Sequence, residues 1–390
     1  MNKPLAIGLI ILFILAIAGS AIWLAVRPAE ETPATKEVGI LRRFPLNLFG
    51  LGGGEEAPAG AGPAEEQAPS EKPALNMVSA GPVTAFAPTK NGIRFLEKET
   101  GHVFESGSQG ESAGIVSNTT IPRIFETTWS PDAAKSIMRY SEGETTRVIS
   151  AEFVASSTKA APISANAISA AYSPDSKRIA YLIPSGDGAR TIAADPDNSK
   201  QSEVNVLPFG GFRIFWPEKN SIYYQSQPSG LTSGFLFKYS IQSGSLEKIL
   251  GDLNGLEVRF SADAAKTVYS VAEQSNEAPR LFVYDLKTGE NSSLQANGLA
   301  RKCVFSRTRE DTIYCALDQN PPAATYPDEW LRGSARTRDS MWEINFKTGS
   351  KKNLGTDRTF DVSQIDVSPD DGFLYFLNRP DESLWSLKIK

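Results

Sequence analysis

Histidine is nearly absent from this chain: His102 is the single one in 390 residues. Histidine is the commonest general base near neutral pH and a principal ligand of catalytic zinc, so its scarcity argues against most hydrolytic and zinc chemistry. Cysteine is almost as rare. With only Cys303 and Cys315, a disulfide-rich scaffold and a four-cysteine metal site are excluded. A basic excess is missing too: 40 Lys and Arg stand against 45 Asp and Glu, a formal net charge of -5. Nothing is available to neutralise a phosphate backbone, so nucleic acid is not an expected partner. No catalytic residue, metal site or cofactor is expected.

Long apolar runs are also missing, with one exception at the N-terminus. Leu5 to Val26 is 22 residues without a charge, long enough at 1.5 Å per residue to cross a hydrocarbon core of roughly 30 Å. Residues 1–4 form a short basic tail, and 5–26 read as a transmembrane helix of the signal-anchor type. A cleaved signal peptide is the competing reading, because Gly19, Ser20 and Ala21 are small, but its apolar core is usually only about 7 to 15 residues. The expected topology is a single-pass membrane protein, N-inside, with the bulk of the chain extracytoplasmic.

Residues 27–74 carry seven Pro, seven Gly and eight Glu, a composition that cannot bury a core. They read as a disordered, flexible linker about 40 Å from end to end. Leu41, Phe44, Leu46, Leu48, Phe49 and Leu51 cluster beside Arg42 and Arg43 within it. That patch either meets lipid or a partner, or is a tolerated apolar stretch.

What the rest of the chain has is repetition. Trp129-Ser130-Pro131-Asp132, Tyr172-Ser173-Pro174-Asp175 and Val367-Ser368-Pro369-Asp370 share one phrase. Pro88, Pro131, Pro174 and Pro217 follow at intervals of 43, Ala262 and Arg307 at intervals of 45, and Pro369 closes the series. Two residues before each anchor stand Phe86, Trp129, Tyr172, Phe215, Phe260, Phe305 and Val367. Seven after it stand Phe95, Met138, Tyr181, Tyr224, Tyr269, Tyr314 and Phe376. Each pair flanks a polar turn, which is a hairpin signal. A second hairpin half follows in several copies, as in Leu281 to Leu286 before Lys287-Thr288-Gly289.

Four strands per 43 to 45 residues make one propeller blade, whose face only a neighbouring blade can cover. The expectation is all-β: a seven-bladed β-propeller over residues 75–390. The last copy lacks room for a fourth strand, and Leu75 to Ser79 would supply it and close the ring.

These repeats resemble the WD40-like repeats of the TolB-family propeller, best at Tyr172 to Tyr181. The likeness fades at Ser261-Ala262-Asp263 and Ser306-Arg307-Thr308, and the Trp-Asp ending of true WD40 blades is absent. The resemblance implies a fold and an extracytoplasmic binding habit, not an activity.

Three local patterns carry little chemistry. Gly110-Glu111-Ser112-Ala113-Gly114 fits a nucleophile elbow but lies between strands, and no histidine follows it. Asp195-Pro196-Asp197-Asn198-Ser199 opens like a calcium loop, yet Lys200 and Val206 stand where glycine and glutamate belong. Cys303 and Cys315 face each other across a turn near Arg309, as a disulfide or as two buried thiols.

The largest departure from the repeat is between Arg307 and Pro369, where 62 residues replace 45. The surplus falls in 320–340, which carries Tyr326, Trp330, Arg332, Arg336 and Arg338. These residue types are enriched at binding hot spots, and long loops on rigid scaffolds often carry function. Either the loop binds a partner or Trp330 folds back as a plug.

The innermost strands offer Asp366, Arg213 and Arg259 as isolated charges. The favoured reading is a membrane-anchored, non-enzymatic binding or scaffold protein of the cell envelope, its partner another envelope protein, a peptide or a glycan. A hydrolase or lyase working at the propeller axis is the alternative.

Overall fold

A computed structural model of the chain describes residues 74–154, 157–273 and 276–390. The expected membrane helix and most of the expected linker lie outside the described residues. Within them, no helix is long and apolar enough to cross a membrane.

The described strands form seven four-stranded antiparallel sheets. Blades 1 to 6 each use four consecutive strands, spanning 83–117, 124–162, 169–207, 212–254, 257–297 and 303–353. Blade 7 takes three strands from 362–388 and its outer strand from Leu75–Ser79. Leu75 pairs with Leu387, Asn76 with Ser386 and Met77 with Trp385. The N-terminal strand thus closes the ring, and backbone groups that would form an exposed edge are satisfied.

Strands alternate in direction, so the ring has two unlike faces. The turns after the first strand of each blade lie on one, here the turn face. Connections between blades, and between second and third strands, lie on the other, the loop face.

The repeated turn owes its shape to a serine. Ser130, Ser173, Ser261 and Ser368 each donate to the Asp two residues on at 2.5–2.7 Å. Each also accepts the backbone N–H five residues on at 2.9–3.0 Å. One side chain thereby satisfies the groups that a tight turn leaves unpaired. The copy at Ser261-Ala262-Asp263 keeps the geometry without proline, so Ser-x-Asp is the physical determinant.

Each junction between blades holds its own apolar cluster. Blade 7 presents Tyr375, Leu377 and Leu384 to Phe86 and Phe95 of blade 1. Blade 2 presents Ile137 and Val148 to Tyr172 and Tyr181 of blade 3. Both aromatic columns face the preceding blade, with one exception in each.

In blade 6, Phe305 pairs with Ile313 and Cys303 with Cys315, whereas in blade 5 Phe260 pairs with Thr267 and Val258 with Tyr269. One extra residue in the blade 6 turn shifts the register, and a one-residue shift exchanges faces. Tyr314 therefore packs towards blade 7, and Cys315 takes the column position in the cluster shared with blade 5. Phe215 is the other exception: it pairs with Tyr223 and turns towards blade 5. The two aromatic columns are thus less uniform in space than in sequence.

Candidate functional site

The 320–340 loop emerges on the loop face from blade 6 and lies across four blades. Its only helix is one short turn, α1 (Asp328–Arg332). Gly333, at φ 85°, ends it in the left-handed region that glycine adopts without strain. Over blade 4, Asp328 accepts the Ser229 hydroxyl at 2.9 Å and the Gly230 N–H at 2.7 Å. A β-carbon on Gly230 would stand 2.2 Å from the Tyr326 carbonyl oxygen, so only glycine permits this approach. Ala278 of blade 5 and Leu299, leading into blade 6, pack with Ala324, Tyr326, Trp330 and Ala335. Over blade 7, Arg379 donates to the Leu331 carbonyl at 3.2 Å.

Under the loop is a sealed ionic cluster. Lys302 Nζ lies 2.8 Å from Asp339 and 3.2 Å from Asp361, with side-chain exposures of 2%, 1% and 3%. Thr337 bonds both carboxylates, and the Val362 N–H donates to Asp339 at 2.9 Å. Trp330 Nε1 donates to Asp361 at 2.8 Å. Burial pushes the Asp339 carboxyl up to about 6, against the opposing pull of Lys302. Burial likewise raises the Tyr326 phenol to about 12. A cavity of about 20 Å³ beside Lys302, Tyr326 and Asp339 has room for about one water.

The loop residues singled out from sequence therefore divide. Tyr326 and Trp330 are each only 2% exposed, and Trp330 lies against three cations, Arg301, Lys302 and Arg379, at 5.4, 4.7 and 4.5 Å from its ring. Both are buried at the base of the loop, where they fasten it down. Arg332, Arg336 and Arg338 are exposed. Cys303 and Cys315, directly opposed on adjacent strands, are joined in a disulfide that is buried at the junction of blades 5 and 6.

Two of the three channel charges read as isolated are paired. Asp366 of blade 7 bridges Arg259 of blade 5 at 3.4 Å and Arg307 of blade 6 at 3.1 Å. Arg213 has no hydrogen-bond or ion-pair partner among the described residues. Burial first, then the like charge of Arg301, lower its pKa. Arg301 is itself held by Glu257 at 2.6 Å.

The loop reaches blades 4 to 7, its contact with blade 7 being through Arg379, and beyond it lie blades 1 and 2. There a cavity of about 280 Å³ is lined by Val83, Ile124, Phe125 and Leu377, with Thr84 and Ser363 beside them and Arg379, Lys98 and Glu382 at its wall. Phe125 is 50% exposed within it. Nothing in the repeat pattern marked this cavity, because its lining comes from three blades far apart in sequence.

No family model and no curated protein matches the chain. Solved structures do. An oligogalacturonate lyase from Vibrio parahaemolyticus matches with TM-score 0.56 at 8% identity, covering 83% of this chain and 95% of that one. The β-propeller domain of the Trilobed protease from Pyrococcus furiosus, described as having an open velcro topology, matches with TM-score 0.55 at 13% identity, covering 79% and 96%. TolB from Acinetobacter baumannii matches with TM-score 0.41 at 13% identity, covering 78% of each chain. At such identities the first two likenesses establish the propeller fold alone.

Elsewhere the described residues carry little reactive chemistry. His102 Nε2 contacts the Thr120 hydroxyl at 3.2 Å on the surface. Ser112 is an exposed bend in blade 1. The Asp195 to Ser199 segment is a hairpin turn in which Ser199 donates to Asp197 and Lys200 pairs with Asp195. No group of three potential metal ligands occurs among the described residues.

Proposed function

We propose that this chain is a non-enzymatic binding protein of the cell envelope, anchored by Leu5 to Val26, that presents the loop face of its propeller to another protein or peptide. One observation carries the reading: a loop with no counterpart in the other blades is fastened across four of them and leaves Arg332, Arg336 and Arg338 exposed. Fixing a loop in advance reduces the ordering cost of association. Arginine is moreover a residue type enriched at interfaces.

Two further features support it. The described chain enters the ring through Leu75–Ser79, whose first residue lies at the turn face, opposite the loop. The most chemically suggestive cluster, Lys302 with Asp339 and Asp361, is sealed from any substrate and reads as structural, which disfavours the lyase or hydrolase alternative.

The test is site-specific photocrosslinking in intact cells, with the crosslinker at Arg336 or Arg338 on the loop face and at Lys177 on the turn face. A discrete adduct from the loop face alone is expected. Adducts only from Lys177, or none from either face, would reject the proposal.

A further inference from the structure

The open cavity at the mouth combines features that select one kind of ligand. Its floor is apolar, from Val83, Ile124, Phe125 and Leu377, and its volume of about 280 Å³ suits about one residue of a ligand. Phe125 leaves half its surface in water at this spot.

The cation at its wall is underused. Arg379 carries five N–H donors and makes one side-chain hydrogen bond, to the Leu331 carbonyl. Its nearest carboxylate oxygen, Asp361 Oδ2, forms an ion pair with it at 3.8 Å, beyond hydrogen-bond distance, while Lys302, Thr337 and Trp330 all donate to the other oxygen, Oδ1. Lys98 beside it is matched by Glu382. The Thr84 hydroxyl is buried without a partner, which is costly unless some group completes it.

An apolar floor and a cation with spare donors in one small cavity fit a ligand whose apolar group and anion sit on neighbouring atoms. We infer that this cavity binds the C-terminal residue of a peptide, the side chain resting on the apolar floor and the α-carboxylate facing Arg379. The inference rests on the binding reading above and names its ligand. A uronic-acid sugar would bring the anion but no apolar group to cover the floor, and an internal Asp or Glu carries its carboxylate without an apolar branch. A carboxylate is also the partner that a guanidinium holds with two parallel hydrogen bonds.

The experiment uses the full chain in detergent and fluorescence anisotropy with labelled tetrapeptides ending in Leu or Phe, each as free acid and as C-terminal amide. The free acids should bind and the amides about tenfold or more weakly, the scale of one charge-assisted hydrogen bond. Phe125→Ser, at a half-exposed position, should weaken the free acids by about tenfold, whereas Lys177→Gln, on the opposite turn face, should not. Equal binding of acid and amide, indifference to F125S, or tighter binding of a uronic-acid trisaccharide than of any peptide would overturn the inference. So would absence of peptide binding; if loop-face crosslinks were still formed, the binding reading would stand and only this ligand would fall.

Discussion

Trp330 donates its indole N–H to Asp361 Oδ1 at 2.8 Å, and the same oxygen accepts from Lys302 Nζ at 3.2 Å. A loop of blade 6 is thereby tied to the entrance of blade 7 through a lysine that leads into blade 6. The tie turns an insertion into part of the scaffold.

Replacing Trp330 should therefore act first on stability. Trp330→Ala removes a buried ring and its bond to a carboxylate, a change that costs about 3–5 kcal/mol. Trp330→Phe keeps most of the packing and should lose about 1.5–3 kcal/mol, the value of a hydrogen bond to a charged group. Arg332→Ser and Arg336→Ser, at exposed positions, should stay within about 0.5 kcal/mol of the parent. Thermal unfolding ranks the four variants, and a destabilised R336S beside an unaffected W330A would contradict the assignment of anchor and surface.

The buried cluster should also imprint a pH dependence. Burial raises the Asp339 carboxyl from its ordinary 3.8 to about 6, so the folded state binds a proton more tightly than the unfolded one. A raised pKa contributes stability that is fully present below about pH 4 and is lost as pH rises through about 6, on the order of 3 kcal/mol. Asp339→Asn cannot ionise and should flatten that slope. Comparing unfolding free energies of parent and variant between pH 4 and 7 tests it; parallel curves would refute it.

Breaking the cluster from the other side should be worse. Lys302→Met leaves two buried carboxylates without their cation, which costs about 3–5 kcal/mol. Combining K302M with D339N and D361N should recover part of the loss. If the triple variant were no more stable than K302M, the cluster would not be acting as one electrostatic unit.

The serine of the repeated turn makes a prediction readable at a single atom. Ser173 is the main cause of the lowered pKa of Asp175, followed by the Lys177 backbone N–H. In Ser173→Ala the Asp175 carboxyl should titrate closer to its ordinary value, as followed by carboxyl NMR. Stability should fall by about 1 kcal/mol, since a hydroxyl serving the turn is lost.

The disulfide closes a short loop between residues 12 apart in sequence. In the chain-entropy account a loop of that length stabilises by roughly 3 kcal/mol. Cys303→Ala with Cys315→Ala should lower the unfolding free energy by about that amount, read from denaturant unfolding under non-reducing conditions. Because both sulfurs are buried between blades 5 and 6, alkylation after reduction should require denaturant, and rapid labelling of the native protein would argue against the placement.

Much of the ring was legible in the sequence for a local reason. A blade repeats because its turn, its two flanking aromatics and its alternation all lie within about 45 residues, and short-range spacing is what a sequence displays directly. Leu75–Ser79 could be assigned to blade 7 by counting strands alone. What tertiary structure decided depends on contacts between distant residues. One extra residue in the blade 6 turn sent Tyr314 to the opposite face and put Cys315 in its place. The loop's Tyr and Trp, read by type as contact residues, proved to be its anchors, because Asp361 and Lys302 stand ready beneath them only once blades 6 and 7 are side by side. The open cavity belongs to the same class: Val83, Phe125 and Leu377 meet there because the ring closes, and no spacing along the chain records that meeting.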